Sequence, residues 1–342
     1  MLKLDRVEFY ITNVCNLGCN NCNRLNNFYF SGHQNWQDYA SVYKKWSERV
    51  DFGSITILGG EPTLNPSIKE WCIGIREFWP NAEIEILSNG TRINKLAWLY
   101  NMCKDYQIDI SITAHGRNRY HKLVNEIDAF FQTRYHVNYA LDEKLWLKTY
   151  ANIKDKTWPE CSVVNDFYQL PNWIQEECTD LHGIDPKTFS KNTGTHTYED
   201  INKVKILLNF AENFVSAPLH FDGKEFTVYD SDREKAHDIC ISKYCHHFVK
   251  GKLYKCHHVA LLPEFLEQFQ VNITSKDKQL LEKYRPGTLD MSDRELESFV
   301  KNLPNSIEQC KLCPQKLEDF FLDGNDKKPK LKKSKTIPIM SV

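Results

Sequence analysis

Nowhere in the 342 residues do about eighteen apolar side chains run together, which excludes an ordinary membrane-spanning helix. Neither sign of charge is in surplus. The 44 Lys and Arg face 45 Asp and Glu, a net charge of −1, so no global field draws in nucleic acid, a membrane surface or acidic ligands. The amino terminus, MLKLDRVEFYITN, mixes acids and bases and has no apolar run of signal-peptide type. These absences lead us to expect a soluble, cytoplasmic protein. Internal repeats are missing too, as is any recognisable nucleophile–base–acid constellation. The 41% hydrophobic and 13% aromatic content still suffices for a sizeable core, and the length suits a large catalytic domain with a smaller appendage.

Cysteine is what the chain has in excess: twelve of them. A chain of this length needs no disulfide staples, and a reducing compartment disfavours them, so the spacing points to metal. One group is Cys15, Cys19 and Cys22; a second is Cys240, Cys245, Cys256, Cys310 and Cys313. Cys72 and Cys103 lie in WCIGIREFW and WLYNMC, apolar helix-like runs in which a thiol acts as a small hydrophobe. Cys161 and Cys178 stand alone and are not expected to be ligands.

Short β-type runs alternate with helical ones over the first 140 residues. Strands are expected at Arg6–Thr12, Ser54–Leu58, Glu83–Ser88, Ile108–Thr113 and His136–Ala140. Helices are expected at Trp36–Val50, Ser67–Trp79 and Asn94–Tyr106, the last capped by Asn94. Such repetition argues for an α/β fold with a parallel sheet, whose site lies at the carboxyl ends of the strands. The texture changes near Lys205. LHFDGKEFTVYD reads as a hairpin turning at Asp222–Gly223, and HHFVKGKLYKC as another turning at Lys250–Gly251. A boundary is expected near Ser216. This gives a core over 1–215, a cysteine-rich carboxyl-terminal domain over 216–325, and a basic tail over 326–342. Six lysines between positions 327 and 335 make that tail a solvated, disordered segment rather than a nucleic-acid arm.

CNLGCNNC, a C-x3-C-x2-C run, follows the first strand at once. Three thiolates on one loop suit three irons of a cubane cluster and leave the fourth iron open, whereas structural zinc wants four protein ligands. The run resembles the signature of the radical S-adenosylmethionine (SAM) superfamily, and the likeness continues along the chain. The second strand ends in Gly59, Gly60, Glu61 and Pro62, similar to that family's GGEP motif. The third ends in Ser88–Asn89–Gly90, and the fourth in SITAHG with Ser111, Thr113 and His115. The resemblance implies a partial (β/α)6, TIM-like barrel and a [4Fe–4S] cluster that binds SAM. It further implies a 5′-deoxyadenosyl radical made by reductive cleavage of SAM, and an electron donor such as flavodoxin or ferredoxin. It places Gly59, Gly60, Glu61 and Pro62 around the SAM amino group, with backbone and carboxylate as acceptors, and Ser88, Asn89, Ser111, Thr113 and His115 about the rest of the ligand. The residue before the third cysteine is commonly aromatic in the family, but here it is Asn21; Phe28 or Tyr29 are the substitutes at hand.

In the second group, Gly251 and Cys256 resemble the G-x4-C hairpin of the SPASM and twitch extensions, which carry auxiliary clusters. Five cysteines suit one cluster with one to spare. Cys245, Cys256, Cys310 and Cys313 are the expected ligands of a second [4Fe–4S] cluster, with Cys240 as a replacement for Cys245. The unused member of that pair could instead be a free thiol that donates hydrogen. Structural zinc stays open as the alternative, and His246, His247, His257 and His258 keep it open. SPASM and twitch relatives imply a peptide substrate, and others of the class a small molecule such as a sugar or aminocyclitol. A non-catalytic iron–sulfur carrier or scaffold is the remaining alternative.

Overall fold

The computed structural model describes residues 1–19, 22–115, 117–131, 135–140, 195–211, 213–214, 219–221, 226–240, 242–271, 273–316 and 320–321. Asn21, Cys161, Cys178, the boundary near Ser216, the Asp222–Gly223 turn and the lysine-rich tail lie outside them. The strands are β1 (Leu2–Tyr10), β2 (Val50–Leu58), β3 (Glu83–Ser88), β4 (Ile108–His115), β5 (Tyr135–Ala140), β6 (Thr195–Asp200) and β7 (Lys205–Ala211). They continue with β8 (Asn213–Phe214), β9 (Leu219–Phe221), β10 (Phe226–Val228), β11 (His247–Val249), β12 (Lys252–Tyr254) and β13 (Phe320–Phe321). The helices are α1 (Trp36–Ser47), α2 (Ile68–Phe78), α3 (Leu99–Tyr106), α4 (Arg117–Phe130), α5 (Arg233–Asp238), α6 (His257–Gln268), α7 (Ser275–Glu282) and α8 (Asp293–Asn302).

Nine strands form one mixed sheet in the order β12-β11-β1-β2-β3-β4-β7-β6-β5. The run from β11 to β7 is parallel, and β12, β6 and β5 are antiparallel to their neighbours. Strands β1 to β4 lie where alternating hydrophobicity puts them. Val7, Phe9, Ile55, Ile57, Ile84, Ile86, Ile110 and Ile112 fill one face under Trp46, Trp71 and Trp79. The indole N–H groups of these three are all satisfied, by the carbonyls of Gly251, Gln34 and Val50, each at 2.9 Å. Cys72 and Cys103 are buried in this core, as their apolar surroundings imply.

Three features depart from the sequence expectation. Asn94 does not cap α3; it sits in a short 3-10 turn, Ile93–Lys95, and its amide binds Glu126 of α4. The strand beside β4 is β7 rather than β5, which lies at the far edge. The place next to β4 demands side chains that tolerate full burial, and Ile206 and Leu208 of β7 meet that demand. Finally, the β11–β12 hairpin extends the main sheet: Glu8 and Phe9 of β1 register with His247 and Phe248. Its turn residues Lys250 and Gly251 both have positive φ, 50° and 74°, as a two-residue hairpin turn requires. Tyr43 and Gln34 accept hydrogen bonds from the Gly251 and Lys250 amides, which fastens the turn to the amino-terminal half.

Candidate cluster and cofactor site

The second face of the sheet is polar where the first is apolar. Arg6 donates to Thr56 (3.0 Å) and Glu85 (3.1 Å), and Thr56 donates to Glu85 (2.7 Å). Further along, Asn209 of β7 donates to Ser111 of β4 at 3.1 Å. Glu8 is buried against His247 (2.8 Å), Arg24 (3.4 Å) and Arg6 (3.9 Å). Burial works against its charge, yet these three partners hold its carboxyl well below the usual range.

At the carboxyl end of β1 the chain turns into the cysteine loop. The β1–β2 ladder continues there: Gly60 N–H donates to Thr12 O and Glu61 N–H to Val14 O, each at 2.8 Å. A Cβ on Gly59 would lie 2.5 Å from Thr12 O, and one on Gly60 2.4 Å from Val14 O, so the loops meet this closely only without side chains. Asn89 ties the third strand-end loop to the same place by donating to Asn16 (2.9 Å), which in turn donates to Thr91 (2.8 Å). Cys15 and Cys22 are half-buried and Cys19 is buried. The Leu17 amide points at the Cys15 sulfur, 3.4 Å away.

Glu61 does not stand open to a ligand. It is 0% exposed, and its Oε1 accepts from Thr63 N (3.1 Å), Thr63 Oγ1 (2.5 Å) and Ser88 Oγ (2.8 Å), while Oε2 accepts from Asn89 N (2.7 Å). Burial raises its pKa, and these four donors oppose the rise. The carboxylate thus binds the GGEP segment to the Ser88–Asn89 loop. Ser88 and Asn89 are themselves buried, and Pro62 opens the short helical turn that follows. Thr113 is half-buried, and His115 closes β4, where its backbone registers with Ala211. Phe28 is spent on the core, 5.8 Å from the Phe265 ring, whereas Tyr29 is 47% exposed.

One residue that the motifs did not single out is Arg119, in the first turns of α4. Its guanidinium lies in the field of Cys19, Cys15 and Glu61, which oppose the lowering of its pKa by burial. Its Nε is shut off from solvent without a partner among the described residues. The signal in the sequence was AHGRNRY, an arginine two residues past the first after the β4 motif.

The second cysteine group gathers differently from the expectation. Cys240, Cys256, Cys310 and Cys313 line one cavity with Lys255 and His258. Cys245 faces Glu8, Arg6 and Arg24 instead. Burial raises all four thiols of the cavity, Cys240 to about 12, and neighbouring cysteines add to the rise at Cys240, Cys256 and Cys313. Cys256 is the residue before α6, and the amides of Val259 and His258 draw its pKa back down. Cys310 lies within a 3-10 turn, Glu308–Leu312, and Cys313 caps its end. Of the four histidines, His246, His247 and His257 are buried, and His258 Nδ1 lies 2.9 Å from Cys313 Sγ. Among the described residues no three Cys, His, Asp or Glu side chains surround one point as a single metal ion would require.

The loop after the first strand of a largely parallel α/β sheet thus carries three cysteines, a ligand set that suits a cubane cluster with one iron left open. Residues 9–165 match the Radical SAM superfamily model. That stretch is similar to the radical SAM family, whose cofactors are a [4Fe–4S] cluster and SAM. An S-adenosylmethionine-dependent nucleotide dehydratase from Thermoplasmatales archaeon (strain ISO4-H5) is 25% identical over 249 residues, 68% of this chain and 86% of that protein. A probable GTP 3′,8-cyclase from Saccharolobus islandicus (strain Y.N.15.51 / Yellowstone #2) is 24% identical over 143 residues, 41% of this chain. The match spans 44% of the cyclase's length. Among solved structures, Streptococcus suis SuiB is similar at 16% identity and a TM-score of 0.37, over 87% of this chain and 68% of that one. No helix among the described residues is long and apolar enough to cross a membrane.

Proposed function

We propose that this protein is an enzyme that cleaves SAM reductively and uses the resulting radical to take a hydrogen atom from a polar organic substrate. The observation that carries the proposal is the meeting of three strand-end loops at the segment bearing Cys15, Cys19 and Cys22, with the Arg119 guanidinium in the field of Cys15 and Cys19 and its buried Nε unpartnered among the described residues. The residues fit the group: all three ligands are thiols on one loop, the arrangement for a cubane with one iron left open. When bound and reduced, the [4Fe–4S] cluster supplies the electron that splits SAM into methionine and a 5′-deoxyadenosyl radical. The chain supplies position. Glu61, Ser88 and Asn89 hold the loops in register, the Gly59 and Gly60 backbone approaches the ligand, and Arg119 receives the SAM carboxylate by a charge-assisted hydrogen bond. The partial barrel implied by the family resemblance, and the division into domains near Ser216, belong to this proposal.

The polar sheet face carrying Arg6, Thr56, Glu85, Ser111 and Asn209 supports a small polar substrate, and the nucleotide dehydratase relative favours the same class. A peptide, which the SPASM and twitch resemblance implies, is the alternative. Anaerobically reconstituted, dithionite-reduced protein should form 5′-deoxyadenosine from SAM, read by liquid chromatography and mass spectrometry. An iron–sulfur carrier would form none.

Arg119→Met should weaken SAM binding by roughly ten- to a hundredfold, the equivalent of a lost hydrogen bond to a charged group at about 1.5–3 kcal/mol. Iron content should not change. Equal SAM affinity in the variant and the parent, by isothermal titration, would remove Arg119 from the site.

The carboxyl-terminal cavity is assigned to a second [4Fe–4S] cluster held by Cys240, Cys256, Cys310 and Cys313. Four thiols share this cavity, and at Cys240, Cys256 and Cys313 the neighbouring cysteines oppose ionisation, a repulsion that a cationic group among them relieves. Cys240→Ala should lower iron from about eight to about four atoms per chain, as two cubanes require, whereas Cys245→Ala should keep about eight. The reverse pattern would restore Cys245 as the ligand. A stoichiometric zinc in place of four irons would favour the structural-zinc alternative.

A further inference from the structure

We infer that His258 is a hydrogen-bond donor to the Cys313 sulfur and thereby sets the reduction potential of the carboxyl-terminal cluster. The inference rests on the assignment of that cavity to an iron–sulfur cluster. His258 is the second residue of α6, immediately after the Cys256–His257 start of the helix, and its Nδ1 approaches Cys313 Sγ to 2.9 Å. The cavity that holds both side chains is lined by the other three cysteines.

The protonation pattern of the ring decides what this contact is. A metal-bound cysteine is a thiolate, which accepts and cannot donate. The neighbouring Nδ1 must therefore carry the proton, or two lone pairs would face each other. The opposite nitrogen, Nε2, is sealed from solvent and has no partner among the described residues. With the proton on Nδ1, Nε2 presents only a lone pair, and an unmet acceptor is better tolerated than an unmet N–H. Were Cys313 a neutral thiol donating to Nδ1, the ring proton would sit on Nε2 as a buried donor with nothing to receive it. The geometry therefore suits a thiolate at position 313 and a donor at position 258.

His257 packs edge-on against the ring with centroids 4.1 Å apart, and His257 in turn lies 5.4 Å from His247. That packing supports the orientation in which Nδ1 approaches the sulfur. Hydrogen bonds to cluster sulfurs stabilise the more negative, reduced state and raise the potential. His258 is a positioning and tuning residue in this account, not a ligand.

The test is a pair of variants of the full chain, reconstituted anaerobically, with both clusters followed by electron paramagnetic resonance during a redox titration. Asparagine can place its Nδ2 close to where histidine has Nδ1, so His258→Asn retains a donor, while His258→Leu fills the space without one. His258→Leu should keep about eight irons and shift the second cluster to a lower potential. The expected shift is about tenfold in the reduction equilibrium, or about 59 mV for a one-electron couple. His258→Asn should recover most of the difference, and the first cluster should not move in either variant. An unchanged potential in His258→Leu would overturn the inference. So would loss of four irons in both variants, because His258 would then be holding the metal or the fold. A parent protein that contains one cluster only would instead overturn the assignment of the cavity itself.

Discussion

Replacing any one of Cys15, Cys19 and Cys22 with alanine is expected to abolish 5′-deoxyadenosine formation, to the background of the assay without enzyme. In the proposed three-cysteine site each thiolate is the sole protein ligand of its iron, so no neighbouring side chain can take over. The loss should come without collapse of the fold. The three residues lie on a loop beyond β1, and Cys15 and Cys22 are only half-buried, while the helix-covered core of the sheet lies elsewhere. Circular dichroism should therefore match the parent, and iron should fall by about four atoms per chain. Full turnover by any of the three variants would remove the basis of the proposed function.

The second large effect concerns Glu61, and it is an effect on stability. Glu61→Ala strips the acceptor from four buried donors at once. The Thr63 and Ser88 hydroxyls can rotate toward other acceptors, but the amides of Thr63 and Asn89 are fixed by the backbone. Two stranded amides at about 1–3 kcal/mol each give an expected loss of roughly 2–6 kcal/mol, measured from the urea midpoint of protein without SAM. Glu61→Gln should cost less, because one oxygen remains and the hydroxyls can reverse to accept from the new amide. A midpoint unchanged by Glu61→Ala would mean that the carboxylate serves the ligand alone, as the family motif implies.

The strands β1 to β4 were legible because each buries one face against aromatic helices and leaves the other polar, and that period of two is written in RVEFYIT and SITIL. The motif residues at the four strand ends could be placed for the same reason. Glu61 illustrates what a motif leaves out. GGEP names a carboxylate but not the four donors that occupy it, since three of them come from Thr63 and Ser88 side chains and the Asn89 backbone, set by how the loops stack. The choice between Cys240 and Cys245 was closed to sequence reasoning for a related cause. A break in helical structure after α5 separates the two thiols, and only the docking of β11 beside Glu8 carries Cys245 away from the cavity. Likewise β7 and β5 could not be ranked as neighbours of β4, because strand order in a sheet is decided by competition for full burial among distant segments.

The docking of β11 on β1 has a consequence for the order in which the molecule is made. β1 leaves the ribosome before β2, which it finds as its inner neighbour, while its other edge waits for residues 247–249. At about 5–20 residues per second, that interval lasts on the order of ten to fifty seconds. During it, an unpaired strand edge bearing Phe9 and Tyr10 is open to any other chain with a free edge. The last hairpin of the sheet thus acts as a guard whose late arrival makes the nascent chain, more than the finished protein, the form at risk of aggregation.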